Sequence, residues 1–117
     1  MPTIVDIKKQ FLKKAGKLAK KYRGILDDID GLILRLKNDE RPGDLIPNIG
    51  HEVYKVRMAN PSAQKGKSGG FRVIYYVRFA DRVVLLTIYA KTDQPDITVQ
   101  DIMTLLEDLR NGDESDE

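Results

Sequence analysis

The sequence predicts an α+β fold in which an N-terminal helical hairpin packs on a small antiparallel sheet closed by a C-terminal helix, and three patterns carry that expectation. Two consecutive apolar stripes of helical period fill residues 8–37, three segments rich in β-branched and aromatic residues fall between residues 53 and 91, and a capping signature opens a last amphipathic run at Thr98. With 117 residues, 41% of them hydrophobic and 32% charged, the chain has the size and balance of one folded domain. The expected boundaries are a single domain over residues 1–111 and an acidic flexible tail over residues 112–117.

Residues 4–7 form a short apolar-rich stretch that fits a first strand. From Lys8 onward, Phe11, Ala15, Leu18 and Tyr22 recur on one helical face, and Lys9, Lys13, Lys14, Lys17, Lys20 and Lys21 fill the remainder. Gly24 interrupts, after which Ile25, Ile29, Leu32 and Leu36 repeat the same period, so two tightly joined helices should pack as a hairpin. Pro42, Gly43, Pro47 and Gly50 then mark residues 38–52 as a loop.

Strand alternation begins at Val53, with Tyr54, Val56 and Met58 on one side and Lys55 and Arg57 on the other. Residues 71–79 and 83–91, separated by Ala80-Asp81-Arg82, read as an antiparallel hairpin. Beyond Pro95, Thr98 and Asp101 make the T-x-x-D form of a capping box, Ile97 stands where it can staple onto Ile102, and Ile102, Leu105, Leu106 and Leu109 give the buried stripe.

Composition excludes several chemistries. There is no cysteine, hence no disulfide framework and no thiolate metal site, and His51 is the only histidine, which leaves zinc clusters and histidine-based hydrolytic triads without their residues. The start of the chain lacks the pattern of a signal peptide and no stretch has the apolar length of a membrane span, so a cytoplasmic location without membrane attachment is expected. The net charge of +2 conceals polarity: the last seven residues carry four acids and no base, so the rest of the chain holds +6. Such a body attracts polyanions.

Alternation also decides where chemistry can sit. Lys55, Arg57 and Arg72 share one face of the sheet by phase; on the next strand Thr87, Tyr89 and Lys91 share a phase, opposite an apolar phase of Val84, Leu86, Ile88 and Ala90. A cationic patch with an aromatic ring suits RNA, because arginine and lysine neutralise phosphate while a ring such as Tyr89 offers a base a stacking partner. Charges on one face of an antiparallel sheet are also ordinary, and by itself the pattern more often marks a solvated face than a nuclease. The lysines of the first helix and His51 are read as surface residues. The run Lys65-Gly66-Lys67-Ser68-Gly69-Gly70 lacks the spacing of a nucleotide-binding loop and leads into a strand rather than a helix.

Three segments carry a more specific likeness. Val53-Tyr54-Lys55-Val56-Arg57, the run from Lys65 through Phe71-Arg72-Val73-Ile74-Tyr75-Tyr76, and Leu85-Leu86-Thr87-Ile88-Tyr89-Ala90-Lys91 together resemble the RelE/ParE superfamily of toxins, in particular its HigB-like, RelE-type branch. Lys20-Lys21-Tyr22 and Pro42-Gly43-Asp44 extend the likeness over nearly the whole chain. The resemblance implies a RelE-like, microbial RNase-like fold and the toxin of a type II toxin–antitoxin system: an endoribonuclease (mRNA interferase) that cleaves mRNA on the ribosome without metal or cofactor. It implies Arg72, Lys55, Arg57 and Lys91 as catalytic residues and a cognate antitoxin, a small helix-turn-helix DNA-binding protein, as partner. Lys65, Lys67 and Tyr89 are the expected RNA-binding residues. Two alternatives stay open at this point, a ParE-like inhibitor of DNA gyrase without nuclease activity and an inactive homologue that only binds antitoxin.

Overall fold

A computed structural model describes residues 2–58, 70–94 and 96–111. Lys65 and Lys67 and the acidic tail from residue 112 lie outside the described residues, as does Pro95. The elements run β1 (Ile4–Ile7), α1 (Lys9–Lys21), α2 (Ile25–Lys37), β2 (Asp44–Leu45), β3 (Val53–Met58), β4 (Phe71–Phe79), β5 (Arg82–Ala90) and α3 (Val99–Arg110). The strands form one sheet in the order β1-β5-β4-β3-β2. This is the expected α+β architecture, with two differences in the sheet. It is mixed, because β1 runs parallel to β5, and it has an additional edge in β2, whose two residues pair with Lys55 and Tyr54 of β3 inside the segment read as a loop. A strand of two residues leaves no periodicity to read.

Both faces of the sheet are covered. On one, Phe11 and Ala15 of α1 and Ile25, Ile29, Leu32 and Leu36 of α2 pack on Val56, Phe71, Val73, Tyr75, Val83, Leu85, Ile88 and Ala90. On the other, Ile102, Leu106 and Leu109 of α3 pack on Ile49, Val53, Ile74, Val84, Leu86 and Tyr89. The hairpin between α1 and α2 turns at Gly24, whose φ of +83° favours the residue without a Cβ. At the start of α3, Thr98 accepts from the Asp101 N–H at 3.0 Å and the Asp101 carboxylate accepts from the Thr98 N–H at 3.4 Å, the reciprocal cap the spacing predicts. Among the described residues no helix is long and apolar enough to cross a membrane.

The expected phase of β5 needs correction. Val84 and Leu86 lie on the α3 face together with Tyr89, while Ile88 and Ala90 lie on the hairpin face. The cause is an irregularity in the β4–β5 ladder: Ile74 pairs with Thr87 but Tyr75 with Leu85, so Leu86 is an extra residue and the two halves of β5 are out of phase. Uniform alternation fails at such a bulge.

Tyr75 ties the segment before β3 to the sheet. The Tyr75 hydroxyl donates to the Pro42 carbonyl at 2.6 Å, and the Tyr75 ring stacks on Tyr54 at 5.2 Å. Gly43 then passes so close to β3 that a Cβ on it would stand 2.5 Å from the Lys55 carbonyl oxygen, and its φ is +98°. Glycine is required there by space and by backbone together.

Candidate functional site

Register sets the centre of the site. Arg57 of β3 is paired with Arg72 of β4, and Arg72 in turn with Tyr89 of β5, so three residues from three strands stand in one row across the sheet. Directly opposed side chains have their Cβ atoms about 5 Å apart. Lys55 lies two residues before Arg57 and therefore on the same face, the one that carries α3. Helix α3 covers the apolar part of that face, the Tyr89 ring included, and of the row only Arg57 is left exposed.

The members differ in their surroundings. Arg57 is exposed, whereas Arg72 is only 5% exposed and donates from Nη1 to the Phe71 carbonyl at 3.2 Å. Tyr89 is 4% exposed, and its hydroxyl donates to Asp96 Oδ1 at 3.2 Å. The same carboxylate oxygen accepts from Lys55 Nζ at 3.4 Å and from the Ile97 N–H at 2.8 Å. One exposed carboxylate therefore joins a lysine, a tyrosine and the backbone leading into α3.

Ionisation follows that geometry. Burial, with the Asp96 charge and its hydrogen bond added, pushes the Tyr89 phenol up to about 12 against the opposing effect of Arg72. The Ile97 N–H, helped by Lys55 and Tyr89 and opposed by partial burial, holds the Asp96 carboxyl below the usual carboxylate range. At neutral pH the site contains an anionic Asp96 and a neutral Tyr89 whose single proton is committed.

Two depressions flank the row. One, of about 310 Å³, is lined by Asp44, Leu45, Ile46, Pro47, Lys55, Arg57, Asp96 and Ile97. The other, of about 410 Å³, runs between α1 and β5 past Lys14, Lys17, Leu18, Lys21, Ile88, Tyr89, Ala90, Asp93 and Gln94. In this groove Lys14 Nζ donates to Thr87 Oγ1 at 2.8 Å, and burial lowers the lysine's pKa despite the nearby Asp101.

The residues expected from sequence therefore fall as follows. Lys55, Arg57, Arg72 and Tyr89 are brought together. Lys91 is exposed in the turn just past β5, where its backbone N–H donates to the Gly70 carbonyl at 3.1 Å. His51 is exposed and lies edge-on to Tyr76 at 5.7 Å, apart from the row. Sequence reasoning missed Asp96 and gave Lys14 no role beyond the surface. Asp96 follows Pro95 in the connection to α3, where no periodicity predicts a direction; an acid two residues ahead of a capping box was the only available signal.

Comparison with known proteins agrees with this architecture. A solved structure of the Escherichia coli toxin RelE, a double arginine-to-alanine mutant in the free state, superposes with a TM-score of 0.53 at 18% identity over 81% of this chain and 90% of that one, which shows a shared fold. The family model described as the RelE toxin of the RelE/RelB toxin–antitoxin system matches residues 33–108, well over half of the chain and every residue of the row. The chain belongs to the RelE toxin family and is a toxin of a toxin–antitoxin system, with a RelB-type antitoxin as its implied partner.

Proposed function

We propose that this toxin is an endoribonuclease that cleaves mRNA on the ribosome and thereby stops translation, with the Arg57–Arg72–Tyr89 row and Lys55 as its working surface and Lys91 at its rim. The row is the observation that carries the reading. Two arginines directly opposed across a sheet repel each other, and an anion placed between them turns that cost into attraction. A phosphodiester is such an anion, and Tyr89 lies next in line; its ring is buried against α3 and so does not offer the stacking face expected from sequence, which leaves its hydroxyl to meet a ribose.

The reaction that suits this surface is attack of a ribose 2′-hydroxyl on the adjacent phosphorus, forming the O2′–P bond as the bond to the 5′-oxygen breaks, with the 2′-proton passing to solvent and the leaving 5′-oxygen taking up a proton from solvent. Charge grows on the phosphoryl oxygens and on the leaving oxygen, and guanidinium groups already in place stabilise it with little reorganisation. Arg72, nearly buried, is the best fixed of them. Lys65 and Lys67 extend the proposed RNA contacts. The antitoxin, a small helix-turn-helix DNA-binding protein in this reading, places an acidic or apolar segment over the same row or displaces α3.

Expression of the wild-type chain should arrest growth, and primer extension on cellular mRNA should then reveal cuts. In Arg72→Ala cleavage should fall at least a hundredfold, about 3 kcal/mol of lost transition-state stabilisation. Because Arg72 is buried, thermal unfolding is followed alongside, and Arg72→Lys serves as the milder change that keeps charge but loses the planar fork. A folded Arg72→Ala protein with full activity overturns the proposal. Continued translation with DNA damage on induction identifies a gyrase inhibitor instead, and harmless expression an inactive antitoxin-binding homologue.

A further inference from the structure

We propose that Asp96 is the positioning residue of this site: its carboxylate holds Lys55 and Tyr89 in a fixed relation before substrate arrives, and it orients the Tyr89 hydroxyl as an acceptor for a ribose hydroxyl. The catalytic half of this inference rests on the nuclease reading; the structural half does not.

Lys55 is on β3 and Tyr89 on β5, with β4 between them, so no backbone ladder relates the two side chains. Two strand spacings separate their backbones by roughly 10 Å. Asp96 Oδ1 spans that gap, at 3.4 Å from Lys55 Nζ and 3.2 Å from the Tyr89 hydroxyl oxygen. Its own position is set by the backbone, through the Ile97 N–H at 2.8 Å. Three donors converge on one oxygen.

Helix capping does not account for Asp96. Thr98 and Asp101 already complete the capping box of α3, so the helix end is satisfied without it. Nor does a surface ion pair, since an exposed lysine–carboxylate contact contributes little by itself. The hydroxyl of the buried Tyr89, by contrast, needs an acceptor, and Asp96 supplies it. A phenol has one proton to give. With that proton directed at Asp96, the Tyr89 oxygen offers only lone pairs to an incoming group, the complement of the 2′-hydroxyl that distinguishes RNA from DNA.

The test uses the full chain and compares Asp96→Ala, Asp96→Asn and Tyr89→Phe, each checked by thermal unfolding. Tyr89 is acted on by Arg72 from β4 and by Asp96, which is itself paired with Lys55, so removing Asp96 leaves cations as its charged neighbours. Ring resonances of Tyr89, identified by their loss in Tyr89→Phe, are followed by NMR between roughly pH 8 and pH 11. In the wild type Tyr89 should stay protonated over this range, and in both Asp96 variants ionisation should begin at lower pH. Single-turnover cleavage of ribosome-bound mRNA should slow by about tenfold to a hundredfold in Asp96→Ala, as expected for a misplaced group, with the half-saturating toxin concentration nearly unchanged. Asp96→Asn keeps an acceptor oxygen and should recover most of the rate.

An unchanged Tyr89 titration in the folded variants overturns the link between Asp96 and Tyr89, whatever happens to RNA. A shifted titration with full cleavage by Asp96→Ala overturns the catalytic half. Absence of cleavage by the wild type, with the titration still shifted, overturns the nuclease reading and leaves Asp96 as the organiser of Lys55 and Tyr89. Should Asp96→Ala fail to fold, the near-isosteric Asp96→Asn decides the titration.

Discussion

The two faces of the sheet are made from the same strands and put to opposite uses. On the hairpin face, Val56, Phe71, Val73, Tyr75, Val83, Leu85, Ile88 and Ala90 meet two helices in a continuous apolar layer. On the other, α3 covers Ile74, Val84 and Leu86, and the strand ends beside it carry Lys55, Arg57 and Arg72. Alternation makes this division in β3 and β4, since each residue that points toward one layer sends its neighbours to the other, and the bulge at Leu86 resets it in β5. The first layer holds the chain together, and the second can therefore keep opposed like charges.

That contrast can be broken by substitution, and the effects should differ in kind. The largest stability loss is expected on the hairpin face, where Phe11 is 1% exposed: Phe11→Ala should cost about 3–5 kcal/mol in a denaturant melt, and cleavage per folded molecule should stay the same. Next comes Gly43→Ala, which drives a methyl group against the Lys55 carbonyl at a backbone angle that alanine resists; about 2 kcal/mol is expected, together with reduced activity if the carbonyl and the Lys55 side chain shift together. Smallest is Thr98→Ala, about 1 kcal/mol from the lost cap of α3, read from the thermal midpoint. A Phe11→Ala protein that folds normally but no longer cleaves would dissolve the division between the two faces.

The helical hairpin, β3, the β4–β5 pair and the capping box were legible in the sequence because each rests on a local repeat or spacing. Arg57, Arg72 and Lys55 were legible for the same reason, since phase alone puts them on one face. The bulge at Leu86 was not, because an extra residue in a run of apolar residues changes no pattern, yet it is what puts Tyr89 on the α3 face with Val84 and Leu86. Asp96 escaped for a different reason. Its direction depends on how the connection after β5 folds back over the sheet, and that is a tertiary fact.

The short first strand has one more consequence. β1 pairs with β5 only from Arg82 to Leu85, and past that point the ammonium of Lys14, tethered to Thr87, stands beside the strand where a longer partner strand would continue. An intruding strand from a second molecule would have to break that tether and strip water from the charge. Lysine at a sheet margin is a common safeguard against molecules zipping together into fibres. Here it guards the strand that carries Tyr89, so the part of β5 left uncovered by β1 is not offered as a template for self-association.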